Sequence, residues 1–143
     1  MVKVKIKKLT ENAVVPTKAH PTDAGFDLTA TSREIDGDNN VVYGFGLAFE
    51  IPEGYVGLLF PRSSICKKDL ILSNSVGVID CHYRGEVSAK FKAAFVESTA
   101  RMYHIGERCA QMIIMPIPPI EIEEAEELSE TDRSDGGYGS TGK

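Results

Sequence analysis

The sequence predicts an all-β domain of sandwich or barrel type with at most one short helix. Apolar and β-branched runs recur around 41–50, 55–60, 69–73, 76–80, 86–96 and 111–117, separated by turn signals such as Pro-Glu-Gly and Arg-Gly-Glu; short strands at this spacing define antiparallel β folds. Val87, Ala89, Phe91, Ala93 and Phe95 keep to one face while Ser88, Lys90 and Lys92 take the other, the period of two of a half-buried strand. The single helical candidate follows Pro61, where RSSICKKD offers a proline and serines to start one turn.

From the N-terminus, Val2, Val4 and Ile6 alternate with lysines, which makes the first segment a strand with its lysines in water. A loop containing Pro and Asp (VPTKAHPTDAG) leads to a short strand at Phe26 and Leu28, and the polar run SREIDGDNN reads as a loop. MIIMPIPPI, residues 112–120, is apolar on both faces and broken by Pro116, Pro118 and Pro119. It reads as an edge or subunit-contact strand, because proline cannot donate to a ladder. From Ser129 the composition shifts to SETDRSDGGYGSTGK, without one aliphatic side chain, so a β domain over 1–128 is expected to carry a flexible Gly-rich tail over 129–143 that cannot fold alone.

At 143 residues the chain is the size of one domain. Acidic residues outnumber basic ones, 21 against 16, which argues against a nucleic-acid surface but leaves room for a small anion held by a few placed arginines. No apolar run approaches transmembrane length and the N-terminus lacks a signal or transit pattern, so the expectation is a cytoplasmic protein with no membrane partner. Cys66, Cys81 and Cys109 are odd in number and widely spaced, which fits reduced core or near-core thiols. His20, His82 and His104 share no metal-ligand spacing.

Chemistry-bearing residues cluster in short stretches. In GVIDCHYRGEV, Asp80 sits in a polar turn after apolar Val78 and Ile79; alone it reads as a turn former. It becomes a candidate general base if the preceding strand uses open backbone groups to read a planar heterocycle and Tyr83 abuts the sugar. In PRSSICKK, Arg62, Ser63 and Ser64 form a plausible phosphate clasp, and the plain alternative is a capped turn with a solvent arginine. GERCAQ presents Arg108 and Gln111 at a strand entrance, although a solvated turn is the more common meaning of Glu107 and Arg108. The tail holds Arg133, Tyr138 and the run Gly139, Ser140, Thr141, whose amides and hydroxyls suit phosphate while the aromatic covers a base.

In order, AGFDLTA (24–30), PRSSI (61–65), NSVGVIDCHYRGEV (74–87), GERCAQ (106–111) and RSDGGYGSTG (133–142) resemble the five motifs of the trimeric dUTPases. The resemblance spans nearly the whole chain. It implies a jelly-roll-like β domain assembled as a homotrimer with a swapped C-terminal tail and active sites shared among subunits. It also implies Mg²⁺-assisted hydrolysis of dUTP to dUMP and pyrophosphate, which keeps uracil out of DNA and supplies dUMP for thymidylate synthesis. Carried over, Asp80 activates the attacking water and Tyr83 packs on the deoxyribose. Asn74, Gly77, Val78 and Ile79 read uracil; Arg62, Ser63 and Ser64 bind phosphate; Gln111 contacts the α-phosphate region. Asp27 lies near the metal's water shell, and Arg133, Tyr138, Gly139, Ser140 and Thr141 form the lid. This sequence has Ser64 where the family more often has glycine, and Tyr138 where it more often has phenylalanine. Two alternatives stand beside this reading. A dCTP deaminase of the same fold would need a glutamate five residues after Gly85, where this chain has Lys90. A nucleotide-responsive regulatory protein would be signalled by loss of Asp80 or Arg133, and both are present.

Overall fold

The computed structural model describes residues 1–93 and 101–136. Its strands are β1 (Lys5–Lys8), β2 (Phe26–Thr29), β3 (Ser32–Ile35), β4 (Asn40–Gly44), β5 (Leu47–Glu50), β6 (Tyr55–Pro61), β7 (Leu70–Leu72), β8 (Gly77–Ile79), β9 (Ser88–Ala93) and β10 (Arg108–Pro116), with one 3₁₀ turn at Ser63–Lys67. All strand pairs are antiparallel. One sheet runs β2-β10-β6-β8, another β3-β4-β9-β7, and β1 pairs with β5. The core lies between the four-stranded sheets: Leu28, Leu59, Ala110 and Met112 come from the first, and Val41, Tyr43, Leu70, Leu72, Ala89 and Phe91 from the second. This is the expected all-β, jelly-roll-like sandwich. Tyr43, Phe91 and Tyr103 meet edge-on or tilted, with centroids 5.8 to 6.4 Å apart, a favoured aromatic geometry.

Where the structure departs from the sequence reading, the causes are physical. Ser32–Ile35 is a strand although all four residues are exposed; pairing with β4 from Ser32↔Gly44 to Ile35↔Val41 makes it one, without any buried face to betray it. The expected 41–50 strand is two, because Gly46 turns the chain at φ 63° between β4 and β5, a conformation open to glycine. β10 is a central strand, flanked by β2 and β6, not an edge. Its one proline, Pro116, stands at the last position, opposite Tyr55, while Pro118 and Pro119 lie beyond the strand. The first strand begins only at Lys5, leaving Val2 exposed. Cys109 is buried, and burial pushes its thiol up to about 12. Cys66 is exposed instead of near the core. Phe95 lies outside the described residues.

Candidate active site

One cluster forms where β2, β6 and β10 end together. Register sets Gln111 opposite both Asp27 and Phe60, so the three strands deliver Asp27, Arg62 and Arg108 to one corner. Arg62 donates from Nε to Asp27 Oδ1 at 2.6 Å and from Nη2 to Oδ2 at 3.2 Å. Arg108 Nη1 donates to the same Oδ2 at 2.9 Å. Asp27 is only 12% exposed, so two guanidiniums share one largely buried carboxylate. The solvated-turn reading of Glu107 and Arg108 therefore gives way: Glu107 accepts from the His104 amide at 2.6 Å and from Lys68 Nζ at 3.3 Å, which holds its carboxyl below the usual range, His104 contributing most. Gln111 Nε2 donates to the Pro61 carbonyl at 3.0 Å. Gly25 admits that amide, since a Cβ there would stand 2.6 Å from Gln111 Oε1.

Beside this corner a cavity of about 460 Å³ is lined by Arg62, Ser64, Lys67, Lys68, Tyr103, Gly106, Glu107 and Arg108. Cations outnumber acids on its wall. Ser64 Oγ lies 3.0 Å from the hydroxyl of Tyr103. Tyr103, Lys67 and Lys68 escaped the sequence reading, because nothing local in the sequence marks a contact made 39 residues away.

The second cluster is the β8–β9 loop, the hairpin of the sequence reading; its two strands lie in different sheets and do not pair with each other. Among the described residues β8 pairs with β6 alone, so its outer edge presents backbone donors and acceptors that no described strand takes up. Val78 projects outward, 63% exposed, while Gly77 is buried close to Asn74. After β8, Asp80 is exposed and its carbonyl accepts from the Tyr83 amide at 3.0 Å. The Tyr83 hydroxyl donates to the Glu86 carbonyl at 3.0 Å, and Glu86 anchors the hairpin by accepting from the Gly46 amide at 2.8 Å. The phenol end of Tyr83 sits close against Gly85: a Cβ there would stand 2.6 Å from its Cζ. Val78, Ile79, Asp80, Tyr83, Glu86, Val87 and Ser88 line a cavity of about 170 Å³.

These two clusters do not meet within one chain. The register Gly57↔Ile79 carries Asp80 opposite Val56, whereas Arg62 extends past the other end of β6. Six strand positions at about 3.3 Å each separate them by about 20 Å. Arg133 joins neither: its Nε donates to the Gly136 carbonyl at 3.0 Å, inside its own turn. Tyr138, Gly139, Ser140 and Thr141 lie outside the described residues.

The chain is thus a jelly-roll-like β domain that carries a cation-lined cavity at one end of a sheet and an open strand edge with an aromatic and a carboxylate at the other. Comparison with known proteins is specific. A family model described as dUTPase matches residues 11–142, and the chain belongs to the dUTPase family. It is 41% identical over 146 residues to a deoxyuridine 5'-triphosphate nucleotidohydrolase of Nautilia profundicola, covering 99% of both chains. It superposes on a mutant dUTPase of Staphylococcus bacteriophage 80alpha with dUpNHpp at a TM-score of 0.82, with 30% identity over 98% of each chain. A mutant dUTPase of phage phi11 of S. aureus, described with a coordinated structural Mg(II) ion, gives 0.74 at 28% identity over 88% of this chain and 98% of that one. Among the described residues, no helix is long and apolar enough to cross a membrane.

Proposed function

We propose that this protein hydrolyses dUTP to dUMP and pyrophosphate, and that each active site is assembled from more than one copy of the chain. The observation that carries the reading is the open edge of β8 running directly into Asp80 and Tyr83, in a chain of the dUTPase family. Backbone groups of Gly77, Val78 and Ile79 pair with the polar edge of uracil, while Asn74 supports the strand. Cytosine presents an amino donor where uracil has a carbonyl acceptor, leaving groups unpaired. Tyr83, fixed by its bond to the Glu86 carbonyl and by Gly85 close against it, packs on the deoxyribose and leaves no space for a 2′-hydroxyl.

Asp80 takes a proton from water as its oxygen attacks the α-phosphorus. The bond from that phosphorus to the bridging oxygen breaks, and the electron pair leaves with pyrophosphate. Arg62, Ser63 and Ser64 hold the departing phosphates, Gln111 lies by the α-phosphate, and Asp27 aims Arg62. Arg133, Tyr138, Gly139, Ser140 and Thr141 close over the nucleotide as a separate lid segment, 129–143. For magnesium, both Asp27 oxygens already accept from arginines, and among the described residues no three His, Cys, Asp or Glu gather into a cage. This donor set fits an ion that would be carried by the triphosphate with most of its waters, the mode Mg²⁺ favours, with Asp27 meeting it only through water. Bound there, it supplies charge neutralisation of the phosphates.

Three observations support the shared site and the homotrimer. Asp80 and Arg62 of one chain are separated by the length of β6. The hairpin cavity, about 170 Å³, is smaller than the roughly 300–1,000 Å³ of ligand pockets and needs a further wall. On the side of the β2-β10-β6-β8 sheet away from the core, register groups Val56 with Met115, and Leu58 with Ile113 and Val78, an apolar face suited to a second copy. The swapped tail also finds a seat. Ile117, Ile120 and Ile122 are exposed, and the last two alternate with Glu121 and Glu123, while a groove of about 600 Å³ offers Val4, Ile6, Phe26, Phe49 and Tyr55 beside Lys3 and Lys5. The deaminase alternative loses support because Lys90 Nζ is paired with Asp36 at 3.0 Å. Pyrophosphate release measured on dUTP, dCTP, dTTP and UTP tests the proposal. Strong preference for dUTP is expected; equal rates on dUTP and dCTP, or ammonia release from dCTP, would overturn it.

A further inference from the structure

We infer that Tyr103 is a positioning residue for phosphate binding, acting through the hydroxyl of Ser64. This rests on the reading of Arg62–Ser64 as the phosphate clasp. Tyr103 is 2% exposed, yet its hydroxyl reaches the wall of the cationic cavity and lies 3.0 Å from Ser64 Oγ. Everything else about the ring is fixed from behind. Its amide donates to the Tyr43 hydroxyl at 3.1 Å, and its carbonyl accepts from Tyr43 Oη at 3.0 Å and from Arg33 Nη1 at 3.3 Å. Lys68 Nζ sits 4.5 Å from the ring centroid and is itself tied to the Met102 carbonyl and to Glu107.

The consequence concerns the 3₁₀ turn that carries the clasp. None of its residues is fully buried and no side chain caps its start; Ile65 packs against the core, which leaves the Ser64 side chain to be held by a partner of its own. The Tyr103 hydroxyl provides that hold from a rigid core wall. Where the family more often has glycine, this chain has a side chain whose single hydroxyl is bonded to the core wall, which fixes Ser64 beside Arg62 and so holds the clasp backbone in place for an entering phosphate. Burial pushes the Tyr103 hydroxyl above its usual titration range, so it stays a neutral hydrogen-bonding group.

The test is a double-mutant cycle of Tyr103→Phe and Ser64→Ala, read by turnover of dUTP, by binding of a non-hydrolysable dUTP analogue and of deoxyuridine, and by melting temperature. Tyr103→Phe keeps the ring and its packing. Each single change is expected to lower kcat/KM and analogue affinity by about three- to tenfold, the worth of one hydrogen bond, with the double variant no worse than the worse single. Deoxyuridine binding should not move, because the nucleoside end lies on the hairpin. Wild-type kinetics in Tyr103→Phe would overturn the inference, as would additive losses, or a drop in deoxyuridine affinity matching the loss of melting temperature. A wild-type protein that fails to hydrolyse dUTP would instead overturn the proposed function.

Discussion

At the scale of single residues, the site depends on groups whose neighbours have left them one option. Asp80 is exposed at the end of an edge strand, free to face water. Asp80→Asn keeps the size of the side chain and removes the proton acceptor, so turnover should fall about a hundred- to ten-thousandfold while dUMP binding persists; turnover and titration calorimetry on the same preparation check this, and unchanged turnover would require another base. Gly85 is a quieter case. Its backbone is not in the left-handed region, so the need for glycine is space: a Cβ would press on Tyr83 Cζ at 2.6 Å. Because Tyr83 is 45% exposed, the ring can swing away at little cost in stability. Gly85→Ala should thus leave the melting temperature nearly intact while discrimination of dUTP against UTP falls by about tenfold or more, a displaced contact being costly to selectivity. Retained discrimination would detach Tyr83 from sugar recognition.

At the scale of elements, the sequence announced strands whose two faces differ and concealed those whose faces do not. β9 was legible because Val87, Ala89 and Phe91 are buried while Lys90 and Lys92 are exposed. β3 was invisible, its four residues all exposed and its existence owed to β4. β10 was visible but misplaced, since three prolines counted against a central position when only Pro116 lies in the strand, at its end. The same logic governs the site: the motifs lie on contiguous stretches and could be read, whereas the Ser64–Tyr103 and Asp27–Arg108 contacts join residues 39 and 81 apart. The β3–β4 hairpin also carries a pH dependence. Asp36 accepts from the Asn40 amide at 2.9 Å, from Lys90 at 3.0 Å and from the Asn40 side chain at 3.0 Å. These, in that order, hold its carboxyl far below the usual carboxylate range. A carboxyl depressed by folding contributes stability above its unfolded pKa and loses it as pH falls toward the folded value. Urea midpoints should therefore drop between about pH 5 and pH 2, and Asp36→Asn should be less stable near neutrality but show a shallower acid slope. Parallel slopes for the two proteins would remove Asp36 from the effect.

At the scale of the whole molecule, neither cluster is an active site by itself. One chain holds the clasp beside Asp27 at one end of β6 and the β8–β9 loop at the other, with about 20 Å of strand between them, so the proposed reading requires a triphosphate seated on one loop to find its arginine on another chain. Symmetry makes this testable without any structure of the assembly. Asp80→Asn and Arg62→Ala are each expected to be nearly inactive, the first lacking the base and the second a guanidinium that binds phosphate. Co-expressed or refolded together, they form mixed oligomers in which some sites draw an intact Asp80 from the Arg62→Ala chain and an intact Arg62 from the Asp80→Asn chain. With equal amounts and random assembly, each condition is met half the time, so turnover should recover to about a quarter of the wild-type level per site. The other three quarters of the sites carry at least one lesion, stay silent and cap the recovery. Mixing the two proteins after each has assembled alone should restore nothing until subunits exchange. Light scattering fixes the number of copies, and three are expected. If the co-assembled mixture stays as inactive as its components, base and arginine belong to one chain, and the register of β6 and β8 would have to change on nucleotide binding to bring them together.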